Sequence, residues 1–186
     1  MLMDVIGFGI VIPVTPNLIK SYLPAGTGMS EIASIGSLIT LIYAVTLFIF
    51  SPLMGALSDQ FGRRKIILWA LFCFGIDYII QATAPNLFIL FIGRAIAGIT
   101  GSSITICNAY IADISTAQNK TKNYGILGMA FGIGFVVGPL IGGLIGNYFG
   151  VKAPFIFAAI LTFINWLYGY FFLPESLDLS LRKKVT

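Results

Sequence analysis

Three side chains in this sequence carry charge where their neighbours carry none. Asp77 lies within FCFGIDYIIQATAP, Arg94 within LFIGRAIAGITG, and Asp4 at the head of DVIGFGIVIPVTP. A carboxyl group in surroundings of low dielectric is a candidate proton carrier, and a nearby arginine makes its protonation sensitive to what occupies the same cavity. Asp77 stands about eight residues before the Pro85-Asn86 connection and Arg94 about eight after it. At about 1.5 Å of rise per residue, antiparallel helices joined there would hold both charges at similar depth, able to pair. One reading is a structural ion pair that fixes helix register. The other is a substrate and proton site, the default for ionisable groups at membrane depth.

A second group, Gly55, Asp59, Gly62, Arg63, Arg64 and Lys65, falls in GALSDQFGRRK between two long apolar stretches. A compact charged turn with its bases together reads as a short cytoplasmic loop between membrane spans. Other chemistry is scarce. The chain has no His, which removes Ser-His-Asp triads and His-ligated metals, and no metal site is expected. Cys73 and Cys107 both fall inside apolar runs and read as small buried side chains rather than a disulfide or metal pair. Nucleophile-base pairs and Walker loops are missing too, so neither an enzyme nor an ATP-driven pump is expected, and no cofactor is implied.

These residues need elements to hold them. The chain is 58% hydrophobic and 10% charged, with a mean hydropathy of +0.95. Soluble domains carry charge on about a quarter of their residues, so a bilayer is the solvent this composition fits. The net charge of +4 does not point to nucleic acid, because the bases sit at the ends of apolar runs and form no stripe. Apolar runs long enough to cross a bilayer cover roughly 1–20, 32–57, 66–84, 87–112, 123–147 and 152–173, which predicts an all-α membrane protein of six transmembrane helices spanning 1–173. Residues 174–186 read as a cytoplasmic tail.

The bases orient the spans. Arg63, Arg64, Lys65, Lys120, Lys122, Arg182, Lys183 and Lys184 fall on one side, against Lys20 and Lys152 on the other. That bias places both termini in the cytoplasm. The first apolar run has no basic region ahead of it, so a cleavable signal peptide is not expected. Asp4 has only three residues before it, less than one helical turn, which favours a first helix that starts upstream.

Small residues mark the packing faces. Gly134, Gly138, Gly142 and Gly146 recur every four residues in the fifth span, with Pro139 and Gly143 between them. Ala97, Gly101, Thr105 and Ala109 form a similar row in the fourth. Such rows let another helix approach closely. Pro139 adds a possible bend point, since it removes a backbone hydrogen bond.

Together these segments resemble the major facilitator superfamily, and within it the drug/proton antiporters of the tetracycline-resistance type. GALSDQFGRRKIIL is similar to the family's loop between helices 2 and 3, through Gly55, Asp59, Gly62, Arg63 and Arg64, with Gln60 where the family often has a base. IGRAIAGITG resembles the fourth-helix motif, with Arg94 as its arginine. GFVVGPLIGG resembles the fifth-helix antiporter motif, through Gly134, Gly138, Pro139, Gly142 and Gly143. DVIGFGIVIPVTP is similar to the first helix of the tetracycline branch, and IDYIIQATAP and NAYIADI sharpen that match.

The resemblance implies the amino-terminal six-helix half of a twelve-helix carrier. It implies secondary active, proton-coupled efflux of tetracycline-like or other small drugs by alternating access, in the inner membrane of a bacterium. Asp4, Asp77 and Arg94 would line the proton and substrate pathway. Asp59, Arg63 and Asp113 would form a cytoplasmic charge cluster that latches the outward-facing state. Its partners would be a drug, a proton, the lipid bilayer and a second six-helix half. The alternative is a six-helix membrane fragment of a truncated or split carrier gene that does not transport.

Overall fold

The computed structural model describes residues 1–177 and Arg182. Within them the chain is helical and strandless: α1 (Leu2–Val11), α2 (Thr15–Ser21), α3 (Met29–Phe61), α4 (Arg63–Thr83), α5 (Leu87–Gly101), α6 (Ser103–Ile114), α7 (Lys120–Phe149) and α8 (Ala153–Phe172). Five stretches are long and apolar enough to cross a bilayer: α3, α4, α5 with α6, α7 and α8. The α1–α2 pair makes a sixth if it is taken as one span. Of the basic tail expected after residue 173, Lys183 and Lys184 lie outside the described residues.

The first span is not the continuous helix expected over 1–20. It bends by 42° between α1 and α2. Pro13 lies in the break and Pro16 at the start of α2, and proline supplies no N–H to continue the helical ladder. At the break the Val11 carbonyl accepts from the Val14 N–H at 3.2 Å and from Thr15 Oγ1 at 2.8 Å. The fourth span, expected over 87–112, is interrupted at Ser102 and runs on to Ile114. There the Ser102 hydroxyl donates to the Ile99 carbonyl at 2.6 Å.

The expected charged loop is also not a loop. α3 runs through Asp59 to Phe61, Gly62 alone makes the turn, and α4 begins at Arg63. Apolar-run length measures the hydrocarbon crossing, whereas these helices continue into polar sequence at their ends. The same holds for α7, which starts at Lys120 rather than 123.

α4 occupies the centre, with half of its most apolar window buried, and packs on α5 and α8. α1 packs on α7 and α8, and α3 on α5. Ile10, Leu18, Tyr78, Leu90, Phe155 and Ala158 form the main core, with a smaller one around Met54, Ile67 and Ile106. The outer faces of α3 and α7 are apolar and bare: Phe48 is 81% exposed and Val136 72%. This inside-out surface suits a bilayer or a further helical partner.

The α1–α7 seam is built from the glycine ladder. A Cβ at Gly138 would come within 2.7 Å of Gly9 Cα, and one at Gly134 within 2.7 Å of Val5 Cγ1. Gly142 lies as tightly against the Ile10 backbone. Gly143 faces open space, and α7 passes through Pro139 without interruption. In the α5–α6 stretch Gly101 of the expected row meets α3, where a Cβ would stand 2.9 Å from the Tyr43 hydroxyl. Gly98, outside that row, also faces α3, where a Cβ would stand 2.5 Å from the Tyr43 carbonyl.

Candidate functional site: buried charges and a basic-end cluster

Asp77 and Gln81 follow each other by one turn on α4, so their side chains share a face, and both are fully buried. The Gln81 amide Nε2 donates to Asp77 Oδ2. Asp77 Oδ1 and Gln81 Oε1 have no hydrogen-bond partner. The room for this pair comes from Gly93 on α5, where a Cβ would stand 3.0 Å from Asp77 Oδ1 and 3.2 Å from Gln81 Cγ.

Arg94 follows Gly93 directly. It does not close an ion pair with Asp77: no N–O distance between them falls within 4.0 Å. Its Nη2 instead donates to Thr15 Oγ1 at 3.4 Å, and its Nε is buried without a partner. Arg94 lines a cavity of about 910 Å³, together with Phe8, Ile12, Thr15, Tyr43 and Ala44. The bend between α1 and α2 therefore opens this space, and the fourth span delivers one cation into it.

Asp4 does not join this group. It accepts from Asn165 Nδ2 of α8 at 2.7 Å and meets the Met1 ammonium at 3.0 Å. It lines a separate cavity of about 80 Å³, and Phe8 and Tyr43 stand at the walls of both spaces.

The basic end carries a second cluster. Arg63, 8% exposed, reaches Asp59 Oδ1 at 2.6 Å, Asp113 Oδ2 at 3.0 Å and Ser58 Oγ at 2.5 Å. One arginine thus ties the end of α3 to the end of α6. Asp59, Arg63 and Asp113, expected together from sequence, are brought together. Arg64 points elsewhere, donating to the Tyr170 carbonyl at 2.5 Å with its guanidinium over the Tyr170 ring. Gly55 meets open space. Gly62 adopts φ +100°, and a Cβ there would collide with the Glu175 carboxylate.

Glu175 was not singled out by the sequence. Its Oε1 accepts from Arg63 N at 2.8 Å and Arg64 N at 3.4 Å, so it caps the start of α4, where unsatisfied N–H groups and the helix dipole favour an anion. Ser176 Oγ donates to Asp113 Oδ2 at 3.2 Å, and Arg182 approaches Glu175 at 3.5 Å. The available signal was an acid just past an apolar run, on the side where the bases gather. Gln81 had a signal as well: a polar residue one turn after a membrane acid.

At the opposite end, Tyr22 Oη donates to the Ala84 carbonyl at 2.7 Å, and Lys152 Nζ lies 3.5 Å from the same oxygen. Partial burial raises the Tyr22 phenol above its ordinary value.

The Major Facilitator Superfamily profile matches residues 1–185. The chain is 41% identical over 174 residues to the class C tetracycline resistance protein of Escherichia coli, covering 94% of this chain and 43% of that one. It is 31% identical over 182 residues to multidrug resistance protein 2 of Bacillus subtilis (strain 168), covering 97% of this chain and 44% of the relative. The chain therefore spans less than half the length of these relatives. The crystal structure of the human organic anion transporter MFSD10 superposes with a TM-score of 0.82 at 24% identity, over 97% of this chain and 47% of that one. That likeness shows the fold, and it sets these helices beside under half of a complete carrier. A six-helix bundle bent at its first span, with its charges on the fourth-span arginine and the junction after α3, and a family match over nearly every residue, establish that this chain is an integral membrane protein belonging to the Major Facilitator Superfamily.

Proposed function

We propose that this chain is the amino-terminal six-helix half of a secondary active carrier that exports tetracycline-like or other small drugs in exchange for protons. Alternating access in such carriers rocks two halves around a site between them. The observation that carries the reading is the buried Asp77, one carboxylate oxygen unpartnered, behind an arginine that lines a cavity large enough for a drug-sized molecule. Its similarity to tetracycline resistance proteins supports the substrate class.

In this reading Arg94 contacts the substrate, and Asp77 and Asp4 take the protons. The Asp59–Arg63–Asp113 cluster holds the basic ends of α3, α4 and α6 together in one state and releases them in the other. The basic end faces the cytoplasm, both termini lie there, and the membrane is the bacterial inner membrane. A second six-helix half covers the cavity face.

The chain's span of 43% of its relative's length favours a second reading, a membrane fragment that does not transport. Expression in a drug-sensitive host separates the two. The proposal predicts little tetracycline efflux from the chain alone and protonophore-sensitive efflux when the carboxy-terminal half of the class C relative is co-expressed. A stable, inserted pair without efflux would favour the fragment reading.

A further inference from the structure

Gln81 is the feature that the carrier reading does not use. It is fully buried, on the same helical face as Asp77, and its amide is committed to that acid on one side only. The amide nitrogen donates to Asp77 Oδ2. The amide oxygen, Oε1, has nothing to accept from, and neither does Asp77 Oδ1. Buried polar atoms are nearly always hydrogen-bonded, so a paired donor beside two orphaned oxygens calls for an explanation. Packing alone does not supply one, since an apolar side chain would fill the gap against Gly93 without burying an orphaned amide oxygen of its own.

A carboxamide offers one face of two donors and another of acceptor lone pairs. An ionised Asp77 only accepts, and needs the N–H face. A protonated Asp77 has an O–H to place, and needs the oxygen. Rotation of the Gln81 side-chain amide by half a turn exchanges the two faces without moving a helix. We propose that Gln81 is a positioning residue that serves both protonation states of Asp77: Nε2–H donates to the carboxylate, and Oε1 accepts from the carboxyl O–H after the amide turns. The step consumes one proton and forms one O–H bond at Asp77. One N–H···O contact is exchanged for one O–H···O contact, and the orphaned oxygen of the first state becomes the acceptor of the second.

The device matters because the site is dry. In water a carboxyl group finds new hydrogen-bond partners on protonation at no structural cost. Among the described residues, the side chain that hydrogen-bonds Asp77 is this amide. The charged and titratable groups that face it are Arg94 on α5, Tyr43 on α3 and Tyr78 on α4 itself, with Asp4 on α1 beyond Tyr78. None of their side chains hydrogen-bonds Asp77. The inference rests on the reading of Asp77 as a proton site, and the experiment below distinguishes the failure of either.

Infrared spectroscopy on the full chain in lipid nanodiscs tests it, with glutamine labelled by 13C at the side-chain carbonyl. Titration from alkaline to acid pH should raise a protonated-carboxyl band that is absent in Asp77→Asn. Over the same pH range the labelled amide band should shift, and Asp77→Asn should abolish that shift. In Gln81→Leu, whose side chain is apolar and of similar volume, the Asp77 carboxyl band should move to the higher frequency of a carboxyl without an acceptor. A carboxyl band that appears while the labelled amide stays fixed would overturn the role of Gln81 alone. The absence of any Asp77-dependent carboxyl band would overturn the proton-site reading as well as this one.

Discussion

Arg63 holds two acids from two helices and the Ser58 hydroxyl besides, and it is nearly inaccessible to water. A buried charge that loses its partner costs about 3–5 kcal/mol, far more than an exposed pair is worth. Asp59→Asn removes one of the two carboxylates and leaves Asp113 to neutralise the guanidinium. We therefore expect a complete carrier built on this half to insert normally and lose at least about tenfold in transport rate, a change of about 1.4 kcal/mol. Drug accumulation measured against the amount of protein in the membrane fraction checks this. Normal transport would reduce the cluster to an orienting charge.

The trio of Asp59, Arg63 and Asp113 was legible in sequence through the resemblance of GALSDQFGRRK to the family's loop motif, which implies such a charge cluster. Glu175 was not, because its role depends on the end of α8 returning to the start of α4, a contact that no local pattern encodes. The expected Asp77–Arg94 pair failed for a related reason. Depth along two helices can be counted from sequence, but the rotation of each helix about its axis cannot. That rotation turns Arg94 toward Thr15 and the cavity.

At the scale of elements, the glycine ladder decides how α1 meets α7. Gly138 and Gly142 contact the α1 backbone directly, while Gly143, in the same motif, touches nothing within 4 Å. Gly138→Val should force the helices apart at an overpacking cost of about 1–3 kcal/mol. Gly143→Ala should stay within about 0.5 kcal/mol of the parent, as surface changes do. Thermal denaturation of the purified chain in one detergent ranks the two. An equal loss for both would mean that the motif acts through backbone flexibility rather than through contact.

Five of the six apolar runs coincide with helical stretches long and apolar enough to cross a bilayer, and the first does so only if α1 and α2 are taken as one span. The break after Val11 was less legible, since prolines are tolerated in membrane helices whenever neighbours satisfy the freed carbonyl. Here Pro13 and Pro16 fall around the break, and the span bends by 42° rather than running as a smooth helix. The expected loop at 55–65 became a one-residue turn because Gly62 takes a φ of +100°. Polar residues flanking a span do not say where the helix ends.

For the whole molecule, the proposed orientation, argued from the charge bias, puts residues 58–65 in the cytoplasm and residues 21–31 outside. Single cysteines at Ser58 and Thr27, in a background lacking Cys73 and Cys107, report this directly in intact cells. An impermeant thiol reagent should label position 27 and spare position 58. The reverse pattern would invert the orientation and detach the charge cluster from any cytoplasmic role. The bare apolar faces of α3 and α7 fit the same picture, with helices covered by lipid or by a second half rather than by this chain's own core.

The central claim is that Asp77 and Arg94 carry proton and substrate rather than merely balance one another. The most direct measurement is proton-driven tetracycline uptake into everted vesicles, with this half paired to a complementary carboxy-terminal half. It should be made for Asp77→Asn, for Arg94→Gln and for the double variant. Each single change leaves one lone charge in a dry site, so both singles should be inactive under either view. The account predicts that the double neutral variant inserts, stays folded and remains inactive, because the proton acceptor and the cavity cation are both gone. Recovery of uptake in the double variant would show that the two charges serve only to cancel each other, and would contradict the account.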